Sequence, residues 1–297
     1  MSDELLKMFQ EMGKDDHREE LVFKRTNILK APFPYVGGKT NSLNHLMPEI
    51  FKRLKGRWID VFGGSGIVSL NVPKQELMVF NDGYGGVMDF YRVLQSDRWE
   101  ELRIYLSTLM PPCSREQWLL SRREWCSEID PVVRAAKWFY MFKNSVIGKG
   151  QSFGRATDSV APLTLSKALR TFEPIHLMLQ NYQLENLDFR QCIQDYDSER
   201  ALFYIDPPYL GTDPGIYNDK WGIHDLTDLL KLVENCKGRV LLSNYPCPLI
   251  ESQPFWTDRI EWKSPVHSNV TAFGDNYKVD EHYSKASAVE VLFIKDR

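Results

Sequence analysis

Cysteine is scarce in this 297-residue chain, and the five present, at 113, 126, 192, 236 and 247, form no C-x-x-C pair. An H-E-x-x-H is missing too, so neither a disulfide framework nor a structural zinc is expected and no metal ligands are assigned. Apolar runs stay far below the ~18 residues a membrane span requires. The polar, acidic N-terminus lacks the apolar core of a secretory signal, and a cytoplasmic protein with reduced thiols and no membrane contact is expected. Repeats and low-complexity tracts are absent. So is a strong excess of charge: the net value is −3, which taken whole argues against a nucleic-acid partner.

Hydrophobic residues make up 43% of the chain, enough to bury one large core plus a subdomain. Strand-like apolar runs recur at 57–62, 77–81, 183–187, 201–205, 239–243, 258–263 and 288–294. Helical patterns at 41–54, 83–94 and 224–235 separate them, which predicts an α/β fold with a mainly parallel, seven-stranded sheet. Between 95 and 181 strand signals give way to helical stretches near 97–110, 114–126, 131–143 and 165–181. This divides the chain into an N-terminal extension (1–30, charged and partly helical), an α/β part (31–94 and 182–297) and a helical insertion (95–181). The charge is unevenly distributed. From Arg134 to Arg170 seven basic residues face a single acid, Asp158, a local charge of +6 that leaves −9 elsewhere. Such segregation suits a basic face for DNA phosphates as well as a solvated helix face.

The most informative residues are Asp206, Pro207, Pro208 and Tyr209, which follow the apolar run Ala201 to Ile205. They fall where a buried strand meets the end of a sheet, the edge at which open α/β folds bind ligands. Two prolines stiffen the loop and leave carbonyl oxygens as acceptors. Asp206 and the Pro207 carbonyl can together accept both N–H groups of a nucleobase's exocyclic amine, and Tyr209 offers a ring for stacking. The plainer reading is a proline turn whose acid caps a helix.

A strand from Trp58 runs through Asp60 and Phe62 straight into Gly63, Gly64, Ser65 and Gly66, a turn that lets backbone approach a ligand at a helix N-terminus. Many strand-to-helix turns share this feature. Asp82, 19 residues after Gly63, adds the acid that reaches ribose hydroxyls at an offset of ~20 in dinucleotide folds. A third loop runs from Phe33 to Lys39, and its fragment Gly38, Lys39 and Thr40 resembles the end of a phosphate-binding loop. A phosphate-binding loop would need glycine at 33, where Phe33 stands, so a nucleotide triphosphatase is not expected. With Tyr35, Gly38 and one cation, the loop suits a carboxylate such as the methionine end of S-adenosylmethionine, or is an ordinary turn before a helix.

In this order, P-Y-V-G-G-K at 34–39, D-V-F-G-G-S-G at 60–66, N-D at 81–82, N-L-D-F at 186–189, D-P-P-Y at 206–209 and L-L-S-N-Y at 241–245, the chain resembles the Dam-type (D12 class) N6-adenine-specific DNA methyltransferases over roughly 31–295. Asp60 and Val61 stand where that family usually has glutamate and proline. Phe142, Lys143, Asn144 and Ser145 with the later Gly148, Phe153 and Gly154 resemble the family's N-x-x-G-x-F segment with its spacing stretched.

The resemblance implies a Rossmann-like, S-adenosylmethionine-dependent fold and methyl transfer to the N6 amine of an adenine flipped from duplex DNA. It places Asp82 at the cofactor ribose, Asp188 and Phe189 at its adenine, and Tyr35, Gly38 and Lys39 near its methionine. Asp60, Phe62, Gly63, Gly64, Ser65, Gly66 and Asp206 complete that site. Residues 95–181 become the target recognition domain, with Lys143, Asn144, Ser145, Lys149 and Arg155 facing DNA. Asp188, Asn244 and Tyr245 also read as turn residues. Cytosine-N4, RNA or protein-amide methylation, and a DNA-binding protein without activity, are the rival functions. Asp206 favours adenine, because serine more often takes its place in the cytosine enzymes and asparagine in the protein-amide ones. The recognition sequence, the oligomeric state and any cognate restriction nuclease are not written in the motifs.

Overall fold

The computed structural model describes residues 28–109, 114–154, 166–210, 221–265 and 287–296. The expected helix within the first 27 residues and the candidate Arg155 lie outside them. Seven strands form one sheet: β1 (Arg57–Asp60), β2 (Leu77–Asn81), β3 (Gln183–Glu185), β4 (Ala201–Ile205), β5 (Arg239–Asn244), β6 (Asp258–Pro265) and β7 (Ser287–Lys295). Their order is β3-β2-β1-β4-β5-β7-β6. The first five in that order are parallel neighbours, and β7 runs antiparallel to both β5 and β6. This is the sheet that the apolar runs predict.

Helices cover both faces, which is why the central strands are apolar at successive positions rather than at alternate ones. Trp58, Met78, Phe80, Leu202, Tyr204, Leu241, Leu292 and Ile294 point to one face. Ile59, Val61, Val79, Phe203, Ile205, Leu242 and Phe293 point to the other. The first face packs α1 (Leu43–Arg53) and α2 (Gly85–Gln95). The second packs α7 (Phe189–Tyr196), α8 (Ile223–Asn235) and the short α9 (Pro248–Glu251).

The helical insertion comprises α3 (Trp99–Leu109), α4 (Arg115–Glu124), α5 (Pro131–Lys143) and α6 (Phe172–Leu179). Asp130 starts α5, its side chain accepting from the Val132 and Val133 amides while Pro131 occupies the first turn. The helix then buries Trp138, Phe139 and Phe142. Phe139 stacks on Phe90 of α2 at 5.1 Å, and Phe33 meets Trp138 edge-on at 5.0 Å. Burying each such ring stabilises the fold by roughly 1.5 to 3 kcal/mol. These aromatics belong to the same continuous core as Trp58 and Phe80, so insertion and sheet are packed as one body.

β1 and β4 lie side by side, the chain moving outward from β1 to β2 and from β4 to β5. Their C-terminal ends therefore bound the crevice where such sheets take ligands.

Candidate active site

Three loops converge at that crevice. After β1, Gly63, Gly64 and Gly66 fill places that leave no room for a side chain. A Cβ at Gly63 would meet the Phe80 ring at 2.4 Å, and one at Gly64 would meet the Tyr35 ring at 2.8 Å. Gly64 and Gly66 also have positive φ, 51° and 72°. The Tyr91 hydroxyl donates to the Ser65 carbonyl at 2.6 Å and holds the turn from below. After β2, the Asn81 amide donates to the Val61 and Leu187 carbonyls and accepts from the Leu187 amide, joining the ends of β1, β2 and β3. Asp82 accepts from the Gly64 and Tyr84 amides, both at 2.8 Å. Burial pushes its pKa up to about 6 against those two bonds.

These loops open onto a cavity of about 690 Å³ lined by Val61, Phe62, Asp82 to Gly86, Asp89, Leu187, Asp188, Phe189 and Pro208. Trp125, Cys126 and Arg134 from the insertion and Trp221 and Asp225 close its other walls. The residues expected to meet a nucleoside, Phe62, Asp82, Asp188 and Phe189, thus line one cavity. Trp125 and Arg134 are additions that no motif marks. Asp188 also caps α7, accepting from the Arg190 amide at 2.9 Å. Asp60 lies beneath, 1% exposed. Its Oδ2 accepts from Ser69 at 2.6 Å and its Oδ1 has no hydrogen-bond partner. Burial pushes its pKa up to about 8, with Asp206 and Asp82 adding to the rise and Ser69 and the Phe62 amide opposing it.

The D-P-P-Y loop leaves β4 beside the cavity, and Pro208 lines it. Lys39 reaches in from the loop before α1, donating to Asp206 Oδ2 at 2.7 Å, to Glu290 Oε1 at 3.1 Å and to the Gly37 carbonyl at 2.9 Å. Those contacts occupy all three of its N–H groups. The Tyr209 hydroxyl is 3.1 Å from Asp206 Oδ1 and 3.0 Å from Glu290 Oε1. The Tyr245 ring meets Tyr209 edge-on at 4.5 Å. Burial pushes the Asp206 pKa up to about 6, Lys39 pulling it down and Glu290 adding to the rise. Burial works against a charged Lys39, but Asp206 and Glu290 outweigh it and hold the ammonium well above its ordinary pKa. Sequence reasoning misses Glu290, since an acid inside the strand A-V-E-V-L reads as one solvent-facing position.

The basic stretch is less open than its count suggests. Arg134 pairs with Asp89 at 2.8 Å, and Lys137 is buried against Glu124 and Glu128. Lys143 is half-buried and its pKa is lowered by burial. Lys149 is half-buried, whereas Lys167 and Arg170 are exposed. Asn144 and Ser145 are each 9% exposed. Asn144 donates to the Tyr140 carbonyl, and Ser145 donates to the Phe142 carbonyl and accepts from the Gly150 amide. In this arrangement both side chains shape the turn after α5. The turn rests on the first loop: a Cβ at Gly148 would come 2.4 Å from the Pro34 carbonyl oxygen.

Among the described residues no group of acids, histidines and cysteines is placed to hold a metal, and no helix is long and apolar enough to cross a membrane. Residues 35–290 match the family described as D12 class N6 adenine-specific DNA methyltransferase. The modification methylase StsI of Streptococcus sanguinis is 24% identical over 92% of this chain and 44% of its own length. The type II methyltransferase M.FokI of Planomicrobium okeanokoites is 26% identical over 69% of this chain and 33% of its own. The chain thus spans less than half the length of these curated relatives.

Proposed function

The chain belongs to the D12 class of N6-adenine-specific DNA methyltransferases, and on that premise we propose that it transfers a methyl group from S-adenosylmethionine to the N6 amine of an adenine flipped out of duplex DNA. The observation that carries this reading is the meeting of the D-P-P-Y loop with the cavity: Pro208 lines the cavity, and Asp206 stands two residues before it, its pKa pushed up by burial to about 6.

The residues present fit the cofactor. The tight glycine turn Gly63 to Gly66 is tied to the cavity through the Gly64 amide that Asp82 accepts, Asp82 offers a carboxylate for the ribose, and Phe62, Phe189 and Trp221 give an apolar cleft for its base. Asp60 Oδ1, buried and unpartnered, suits its ammonium. When bound, the cofactor supplies an electrophilic methyl carbon.

Everything else falls to the chain's own groups. The lone pair of an adenine amine is delocalised into the ring. Asp206 and the Pro207 carbonyl, accepting the two N–H groups, favour a pyramidal nitrogen and stabilise positive charge as it develops. Two consecutive prolines hold that carbonyl in place. The amine is inaccessible inside a duplex, so the base must leave the stack, and Tyr209 is the ring beside Asp206 on which it would rest. Residues 95–181 act as the target recognition domain, with Lys143, Lys149 and Arg155 toward the phosphates and Asn144 and Ser145 shaping the turn that meets the bases. The names of the two relatives support a role as the modifying partner of a restriction nuclease.

The test is methylation of unmethylated plasmid DNA with labelled S-adenosylmethionine, read by a sequencing method that detects N6-methyladenine and so also reveals the recognition sequence. Label confined to cytosine or to protein, or cofactor binding with no transfer to any DNA, would overturn the reading.

A further inference from the structure

The D-P-P-Y loop holds one more ionisable group than its own residues account for. Glu290 is 4% exposed. β7 runs against its neighbours, so its first residues reach the sheet edge where β4 ends, and Glu290 arrives beside Asp206. Its Oε2 accepts from Ser42 at 2.8 Å, and Ser42 in turn accepts from the Trp262 indole at 3.0 Å, which fixes how the carboxylate points. Its Oε1 faces both Lys39 and the Tyr209 hydroxyl.

Two donors compete for Asp206. Lys39 takes Oδ2, and Tyr209 stands 3.1 Å from Oδ1. A phenol has a single proton to donate. Given to Asp206, it occupies an oxygen that an incoming amine N–H needs; given to Glu290, it leaves Oδ1 open. We propose that Glu290 is a positioning residue for amine methylation, drawing the Tyr209 proton and a share of the Lys39 charge away from Asp206 so that Oδ1 stays an open, basic acceptor for the target amine. The proposal rests on the reaction put forward above. A glutamate that merely anchored Lys39 would have no need of Tyr209.

The charged and titratable groups facing Asp206 are Lys39, Glu290, Tyr209 and Tyr204, with Asp60 and Tyr245 close by. Among them Lys39 lowers the Asp206 pKa and Glu290 raises it. Removing the Glu290 charge therefore leaves Asp206 more acidic and a weaker acceptor. Glu290→Gln keeps the shape and one accepting oxygen while losing that charge.

The experiment compares full-length wild type, Glu290→Gln, Glu290→Asp, Tyr209→Phe and the double variant Glu290→Gln with Tyr209→Phe. Two readouts are taken: methylation of unmethylated plasmid DNA against pH, and the ¹³C titration of the Asp206 carboxyl in protein without DNA. Glu290→Gln should lower kcat roughly 10-fold, the scale of one charge-assisted hydrogen bond, with the KM values little changed. The acid limb of kcat and the Asp206 titration should both move to lower pH by on the order of one unit. Glu290→Asp should recover part of kcat, and the cost of Glu290→Gln should shrink when Tyr209 has no hydroxyl to compete. An Asp206 titration that does not move in Glu290→Gln overturns the proposal whichever base is methylated. So does a kcat loss of equal size with and without the Tyr209 hydroxyl. A wild type that binds S-adenosylmethionine and leaves adenine unmethylated overturns the reaction instead, and the Asp206 titration then decides on Glu290 alone.

Discussion

Replacing Asp60 with asparagine should strengthen the fold and weaken the cofactor's hold in the same protein. The carboxyl is buried, and its pKa stands near 8 against an ordinary 3.8. In the unfolded chain it ionises at the ordinary value, so across this window unfolding releases a proton and a rising pH favours the unfolded state. Because the folded pKa is the raised one, Asp60's stabilising share is complete below pH 3.8 and is lost progressively up to about pH 8. At ~1.36 kcal/mol per unit, the loss at pH 7 reaches about 4 kcal/mol. Asparagine does not titrate. The stability gap between Asp60→Asn and wild type should therefore widen in the variant's favour from pH 5 to pH 8. Thermal midpoints would show this as a gap growing by roughly 5 °C or more. Any constant cost of the amide, such as a weaker bond from Ser69, cancels in the widening. The midpoint rise that S-adenosylmethionine confers on wild type should shrink in the variant, because the amide brings no negative charge to meet the ammonium. A gap that stays flat with pH would refute the reasoning, for it would mean that the buried carboxyl is already ionised in the folded state.

Asp206→Ala should lower methyl transfer by roughly 10²-fold or more while calorimetric affinity for S-adenosylmethionine stays close to wild type; near wild-type turnover would remove Asp206 from the chemistry. Asp82→Ala should weaken cofactor binding, since it removes a carboxylate from the cavity and the acceptor that holds the Gly64 and Tyr84 amides; unchanged affinity by calorimetry would exclude the residue. Alanine at Lys143, Lys149 or Arg155 should weaken specific and nonspecific duplexes alike and flatten the plot of log affinity against log salt by ~0.9 for each phosphate no longer neutralised. Unchanged slopes in all three would move the recognition surface elsewhere.

What the sequence discloses follows the physics of each signal. Strands buried on both faces are continuous apolar runs, so β1, β2, β4 and β5 fall within a residue or two of the expected bounds. The helix expected over 131–143 is α5 to the residue, because Asp130 and Pro131 mark its start. The stretch expected over 165–181 is interrupted by a turn at 170–171, being helical at 166–169 and again in α6 over Phe172–Leu179. The cavity is legible because its residues follow strand ends, where topology dictates the neighbours. Glu290 is not, since its partners Lys39, Ser42 and Tyr209 are remote in the chain and meet it only because β7 is reversed. The basic count misleads in part for the same reason: a tally of charges cannot see that Asp89, Glu124 and Glu128 engage Arg134 and Lys137.

The seat of Gly148 on the Pro34 carbonyl has a bearing on how target preference can diverge. The turn that would read the duplex stands on the strip of backbone that carries Lys39 to Asp206, so its foot cannot be remodelled without disturbing the reacting centre. With φ at 66° and no space for even one carbon, the position admits only glycine in practice. Evolution, or an engineer seeking a new recognition sequence, is left with the outward side of the turn, where Val146 is exposed. Exchange of the whole insertion as a cassette would carry Gly148 along but place it against a foreign Pro34 loop. Grafts that respect this hinge point should therefore keep residues 33–39 and 144–150 from the same parent.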